Sequence, residues 1–342
     1  MTIIRRLSFF DASKLKKMIA FLGNDEAERF IRKLMSNYFS FFHQLLPLGL
    51  KFLPESYVLE VDKTIHGVIT VNPTKGNPYK LSITRLLFEQ DYYEVGKQLI
   101  DFIITKYGAK GAETFVVSID NSYEELLQLF TVGCGFRQCA GELLYKIPKK
   151  AHRINRTETI IFRPFKNSDA EKVCDMYNHS VVSHFKPSLL KNKAEFKEPV
   201  LCGLSPVYEL KYIMEETNSK TILSYFSIIT ADNINYTATI TIQEGYNVDY
   251  SLIFGFINRE LRRRKKDFNL FVKVLKYVKD NEHLEEYLKR KDGVCIGTQL
   301  ILVKDFYKLI KESSSKKLGI VLFNDSSQTI RTNFETRNEQ LH

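Results

Sequence analysis

The chain contains no tryptophan, and its five cysteines include no CxxC pair. Cys134, Cys139, Cys174, Cys202 and Cys295 are scattered, with no histidine spaced beside them as zinc ligands require. An odd, dispersed set argues against a disulfide scaffold or a metal site and for reduced thiols in a cytoplasmic protein. Long apolar runs are missing too. The greasiest window, 39–53, is broken by His43, Gln44, Pro47 and Lys51 and is too short to cross a bilayer. The opening MTIIRRLSFFDASKLKK lacks the apolar stretch and small-residue cleavage site of a secretory signal. No membrane partner is therefore expected. Nor does any Ser/His/Asp or Cys/His constellation for nucleophilic catalysis stand out.

What is present suits a folded chain of two domains, the default for 342 residues. A formal charge of +10 favours anionic partners, although much of it is diffuse lysine. The densest basic run, Arg262 to Lys266, falls at the end of an expected helix. Cations are favoured there by the helix dipole, so the run reads as a solvated helix end. Without a basic motif interleaved with aromatics, nucleic acid is not the expected partner.

Alternation and helical spacing predict β, α, α, β, β, β, α, β, α, β over the first half. The strand 2–10 leads to a helix capped by Asp11, and a second helix runs from Asp25 to about 38. Strands 57–61 and 66–72 form a hairpin turning at 62–64. Strand 81–88 passes through a polar loop into a helix opening at about Gly96, with Val95, Leu99, Ile100, Phe102, Ile103 and Ile104 facing a core. A strand at 113–119, a helix at 121–132 and closing strands within 136–147 follow. Residues 148–156 are the linker candidate. The order then restarts, with strands at 159–165, 208–214, 221–229, 237–242, 269–277 and 294–303 and helices from 168, at 250–264 and at 283–289. Arg6 followed by Asp11-Ala12 is echoed by Arg163 followed by Asp169-Ala170, a repeat of element order and not of residues. The expected units are 1–150 and 157–322, with a flexible tail at 323–342.

Strand 81–88, the run Val95-Gly96-Lys97-Gln98-Leu99-Ile100, the strand ETFVVSI, Asn121 and Gly135-Phe136 together resemble the GCN5-related N-acetyltransferase (GNAT) superfamily. They span roughly 80–147, and the element order extends the likeness to residue 1. The second half resembles the same fold by its order and its Arg163-Pro164-Phe165 start, as a degenerate copy. The resemblance implies two tandem α/β domains of acyl-CoA N-acyltransferase type. Each would be a mixed, mostly antiparallel sheet flanked by helices, with strands 4 and 5 parallel and splayed.

The resemblance also implies a site. Acetyl-CoA or another acyl-CoA would enter between strands 4 and 5, its pantetheine arm pairing with the backbone of Leu86, Leu87 and Phe88. Its pyrophosphate would rest on the N–H groups of Glu94, Val95, Gly96 and Lys97 at a helix start. Asn121 would bond near the pantetheine or cap its own helix. The acceptor would be an amine on a small molecule or a protein, with Glu89 or Glu60 as the candidate base. The loop departs from the family pattern, keeping only Gly96 and placing Asp91 and Glu94 near the pyrophosphate. Residues 128–132 lack the tyrosine that often protonates the leaving thiolate, and strand 4 holds Ser82, Thr84 and Arg85 where many members carry a glutamate. Two functions fit: acyl transfer to an amine, or a non-catalytic acyl-CoA sensor or protein-interaction module.

Overall fold

Strands β1 (Thr2–Arg6), β2 (Glu55–Val61) and β3 (Thr64–Thr74) open the fold, with helix α1 (Ala12–Met18) between the first two. β2 turns into β3 through Asp62 and Lys63, both at positive φ. Two left-handed residues make the primed turn whose twist matches the flanking strands. β4 (Asn77–Phe88), α2 (Tyr92–Gly108), β5 (Thr114–Asp120), the short α3 (Glu124–Gln128) and β6 (Arg137–Ile147) complete the first half. The second half comprises β7 (Ile160–Pro164), α4 (Ala170–Ser180), α5 (Lys186–Leu189), α6 (Lys193–Phe196), β8 (Tyr208–Glu216), β9 (Ile222–Thr230), β10 (Asn235–Ile242), α7 (Tyr250–Arg264), β11 (Asn269–Leu275), α8 (Asn281–Arg290) and β12 (Val294–Asp305). This computed structural model describes residues 2–19, 54–74, 76–88, 92–148, 159–198, 208–230 and 232–306. The second helix expected from Asp25, the window 39–53, the linker and the tail lie outside the described residues.

The two expected sheets are one. All the strands join a 12-stranded sheet in the order β1-β2-β3-β4-β5-β12-β6-β11-β10-β9-β8-β7. Each half gives its last strand to the other: β12 lies between β5 and β6, antiparallel to both, and β6 pairs onward with β11. This corrects the reading of several closing strands within 136–147. That segment is a single strand, because its neighbours on both sides come from the second half.

Helices cover both faces. Leu99, Ile100 and Ile103 of α2 pack on Ile69, Leu81, Ile83, Phe115 and Val117, while Leu15 and Met18 of α1 pack on Val58 and Val68 of the opposite face. A further core joins the halves, with Cys139 of β6 and Ile301 and Val303 of β12 packed with Val173 and Tyr177 of α4. At its rim the Asp305 carboxylate accepts hydrogen bonds from Arg137 (2.6 Å), Ser188 (3.0 Å) and Thr114 (3.1 Å). Lys80 Nζ donates to the Ser188 carbonyl at 3.1 Å, which ties the α5 segment to the first half.

The internal repeat is atomic. Arg5 grips Asp11 through both terminal nitrogens and Glu60 through Nε, and Arg163 does the same with Asp169 and Glu215. The backbone N–H groups of Ser8 and Lys166 donate to the matching aspartates. The arginine of the first half is thus Arg5, not Arg6, which points its guanidinium to Glu55 instead. Burial raises the Asp11 and Asp169 carboxyls, but the arginine and backbone hydrogen bonds outweigh it and leave both below the ordinary 3.8. A carboxylate depressed by folding stabilises fully above its unfolded value and loses that contribution as the pH falls through the folded value. The melting temperature is expected to drop as pH falls from about 5 to below 3, and Asp11→Asn with Asp169→Asn to flatten that slope. Thermal melts across this range check it.

Candidate active site

β4 pairs in parallel with β5 only from Lys80/Thr114 to Ile83/Val117, yet β4 continues to Phe88 and β5 to Asp120. Beyond Ile83 the two strands part and leave an open gap between their C-terminal ends. On β3, Val71 faces Ile83 and Thr70 faces Arg85, so Thr84 bulges out of the ladder where the gap begins. A bulge bends its strand, raises the local twist and re-aims neighbouring groups. Leu86, Leu87 and Phe88 lie in the parted stretch, held on the β3 side by Ile69, Val68 and Gly67. Their other edge is not joined to β5.

Helix α2 starts at Tyr92, one turn earlier than its apolar stripe suggests. The free N–H groups of its first turn therefore belong to Tyr92, Tyr93 and Glu94. Gly96 and Lys97 lie a turn further in, with their N–H groups inside the helical ladder. Gly96 is buried for a different reason: a Cβ there would stand 2.7 Å from Leu129 Cδ2 and 3.6 Å from the Phe88 ring. Its lack of a side chain lets α2 sit on the end of β4 and on the turn after α3. Val95 packs into the same core, over Gly67, and Lys97 pairs with Asp101 at 2.5 Å on the outer face.

Asn121 does not cap a helix. It occupies the turn after β5, where its N–H donates to Thr298 O at 2.8 Å and fastens β5 to β12. Helix α3 begins at Glu124 and passes into a π turn at Leu129–Gly133. There Thr131 Oγ1 donates to the Leu127 carbonyl at 2.6 Å. The phenol beside this turn comes from α2: the Tyr93 hydroxyl is 3.2 Å from where a Gly133 Cβ would lie. Sequence spacing within α3 alone does not find it. Of the candidate bases, Glu89 lies outside the described residues. Glu60 is bound by Lys14 and Arg5, whose hydrogen bonds hold its carboxyl below the ordinary range. It is an ion-pair partner on β2 and not a free base.

The corresponding gap of the second half is built otherwise. β10 pairs with β11 up to Thr239/Lys273, and its ladder with β9 runs in unbroken register from Thr237/Ile229 to Ile242/Ser224. The start of α7 is closed by its own anion, Asp249, which accepts from Ser251 N (2.8 Å) and Ser251 Oγ (2.7 Å). Tyr287 of α8 stacks on Phe254 at 5.4 Å and lies 5.5 Å from Tyr250. A carboxylate at the helix start and aromatic rings between the helices make this a poor seat for a phosphate-bearing ligand. At the far end of α7, Arg263 pairs with Glu260 and Arg264 donates to the Tyr208 hydroxyl, as a solvated helix end would.

No protein-family model matches the chain, and no curated protein matches it by sequence. Solved structures do match. A tandem GNAT protein from the clavulanic acid biosynthesis pathway is similar over 89% of this chain and 98% of its own, with a TM-score of 0.57 at 8% identity. A GCN5-related N-acetyltransferase from Sphaerobacter thermophilus covers 89% and 95%, with a TM-score of 0.53 at 14% identity. A Drosophila protein covers 90% and 99%, with a TM-score of 0.53 at 12% identity. The chain therefore has the tandem GNAT fold, with β4 and β5 as its parallel, parting pair. Among the described residues no cluster of His, Cys, Asp and Glu has the makings of a metal site, and no helix is long and apolar enough to cross a membrane.

Proposed function

We propose that the first half binds an acyl-CoA, acetyl-CoA being the simplest, and passes its acyl group to an amine. The observation that carries this reading is the gap between β4 and β5, which opens at a bulge and ends beneath the start of α2. The edge of Leu86–Phe88 that has parted from β5 offers backbone donors and acceptors to the amide groups of a pantetheine arm. The N–H groups of Tyr92, Tyr93 and Glu94, with the positive end of the helix dipole, suit its pyrophosphate. An N–H on the parted stretch of β4 would polarise the thioester carbonyl. The neutral amine then bonds to the carbonyl carbon, the carbon–sulfur bond breaks, CoA leaves as thiolate, and the ammonium proton passes to water.

A second reading, a non-catalytic acyl-CoA sensor, is favoured by one observation: Thr131 and not a tyrosine stands in the turn before Gly135-Phe136. The two readings share a first test. Acetyl-CoA is expected to raise the melting temperature, and Glu94→Lys to tighten binding roughly three- to tenfold by exchanging a repelling charge for an attracting one at the helix start. No thermal response to acetyl-CoA at millimolar concentration overturns both. CoA release with amine acceptors then separates enzyme from sensor.

A further inference from the structure

Granted the acyl-CoA cleft proposed for this gap, on which this inference rests, an acceptor amine has one open side from which to reach the acyl group. On the α2 side, Val117 and Ile119 of β5 are buried in one apolar core with Leu129 and Phe130 of the turn after α3. An amine does not pass through close-packed side chains, so its approach is the face away from α2. Ser118 lies on that face, because successive residues of a strand point to opposite sides. Val116, two residues earlier, accordingly packs with the core beneath α4. The last pair between β4 and β5 is Ile83/Val117, which makes Ser118 the first residue of β5 past the fork. Its side chain is exposed.

Ser118 Oγ donates its proton to Gln299 Oε1 of β12 at 3.3 Å. Gln299 comes from the second half. It is half-buried, and its backbone is held in register by Asp120 on one side and Glu142 on the other. With its proton directed to Gln299, the serine oxygen keeps lone pairs to accept an N–H. The second half fills the matching place differently. Glu142 of β6 faces Leu275, two residues beyond Lys273, as Gln299 faces Asp120, two residues beyond Ser118. There Lys273 Nζ and Glu142 Oε2 pair at 2.7 Å, and the Tyr277 hydroxyl donates to Glu142 Oε1 at 3.3 Å. That network joins charge to charge, whereas the neutral Ser118–Gln299 pair leaves the serine able to accept.

We infer that Ser118 is a catalytic residue of the proposed acyl transfer, accepting an N–H of the amine, and that Gln299 is its positioning residue, lent by the second half. As the neutral amine bonds to the carbonyl carbon, its nitrogen becomes cationic and the N–H held by Ser118 becomes a stronger donor. The hydrogen bond therefore tightens in the transition state, where it lowers the barrier. The carbon–sulfur bond breaks, CoA leaves as thiolate, and the ammonium proton passes to water. Ser118 keeps its own proton throughout. The second half, a poor seat for a coenzyme itself, thus completes the site of the first.

The test follows CoA release from acetyl-CoA by full-length protein, with hydroxylamine, ethylamine and phenylethylamine as acceptors. At least one is expected to raise release above that with water alone. Ser118→Ala should lower kcat for that amine about tenfold while leaving KM for acetyl-CoA and the acetyl-CoA melting shift near wild type. Ser118→Thr should restore part of the loss. Gln299→Leu should cost about as much as Ser118→Ala, and the double variant no more than either alone. Gln299→Glu still offers Ser118 an acceptor and should keep most of the activity. Ser118 is exposed, so its exchange leaves the fold in place. A Ser118→Ala variant with wild-type kcat overturns the inference. So do losses at Ser118 and Gln299 that multiply, or a protein that answers acetyl-CoA but whose CoA release no amine accelerates; in each case the cleft reading stands. A protein with no thermal response to acetyl-CoA removes the cleft and this inference together.

Discussion

Val303→Asp and Leu302→Asp are each expected to abolish the folded state of both halves at once. These neighbours on β12 are 0% and 1% exposed and face opposite sides of the sheet. Val303 enters the core shared with α4, and Leu302 enters the core under α2. An ionised carboxylate placed in either core has no partner, and it removes a side chain whose burial is worth about 1.5–3 kcal/mol. The sum approaches the roughly 5–15 kcal/mol that typically holds a domain together. The exchange of strands makes the loss global. Among the described residues β12 is the strand beside β5 on that side, and it also flanks β6, which pairs onward with β11. Circular dichroism and amide exchange should show protection lost together at Tyr57 and Leu59 of the first half and at Phe226 and Ile228 of the second. Native protection surviving in the second half while the first unfolds would show that the halves are energetically separate.

Gly67→Val is expected to destabilise the protein by about 3 kcal/mol, roughly 6–12 °C in melting temperature, and to abolish any response to acetyl-CoA. Gly67 lies on β3 directly beneath α2. A Cβ there would stand 2.6 Å from Val95 Cγ1, 2.9 Å from Leu99 Cδ1 and 3.3 Å from the Leu87 carbonyl. Leu99 is fully buried, so it has nowhere to retreat, and the helix must lift. Lifting α2 withdraws its first turn from the end of β4, where the proposed pyrophosphate seat is formed. Gly67→Ala should show the same direction at about 1–2 kcal/mol. A Gly67→Val protein with wild-type stability and acetyl-CoA response would mean that this contact does not hold the helix in place.

A glycine near a helix start can admit a phosphate, yet Gly96 has a packing role against Leu129. Gly67 carries no local signal, because the atoms that exclude a side chain there come from residues 95 and 99 across the fold. Helix α7 was legible to its ends, since Asp249 caps it and the basic run closes it. The apolar stripe of α2 begins about a turn after the helix itself, so spacing alone places its start late. The short helices α5 and α6 are too brief to show a period, and the pairing of their segment with Asp305 and Lys80 depends on residues far apart in the chain.

By itself the sequence determined what is local. Apolar alternation set the strands, helical spacing set α2 and α7, and the repeated order set a tandem architecture of two GNAT-like halves. The departures at Asp91, Glu94 and Arg85 were likewise plain in the residues. Only the tertiary structure decided that the halves share one sheet, because which strand fills the place beside β5 is a choice between strands of similar pattern. It alone showed that Leu86–Phe88 run on past the last β4–β5 pair, since a bulge at Thr84 shifts the register and with it the face each later side chain occupies.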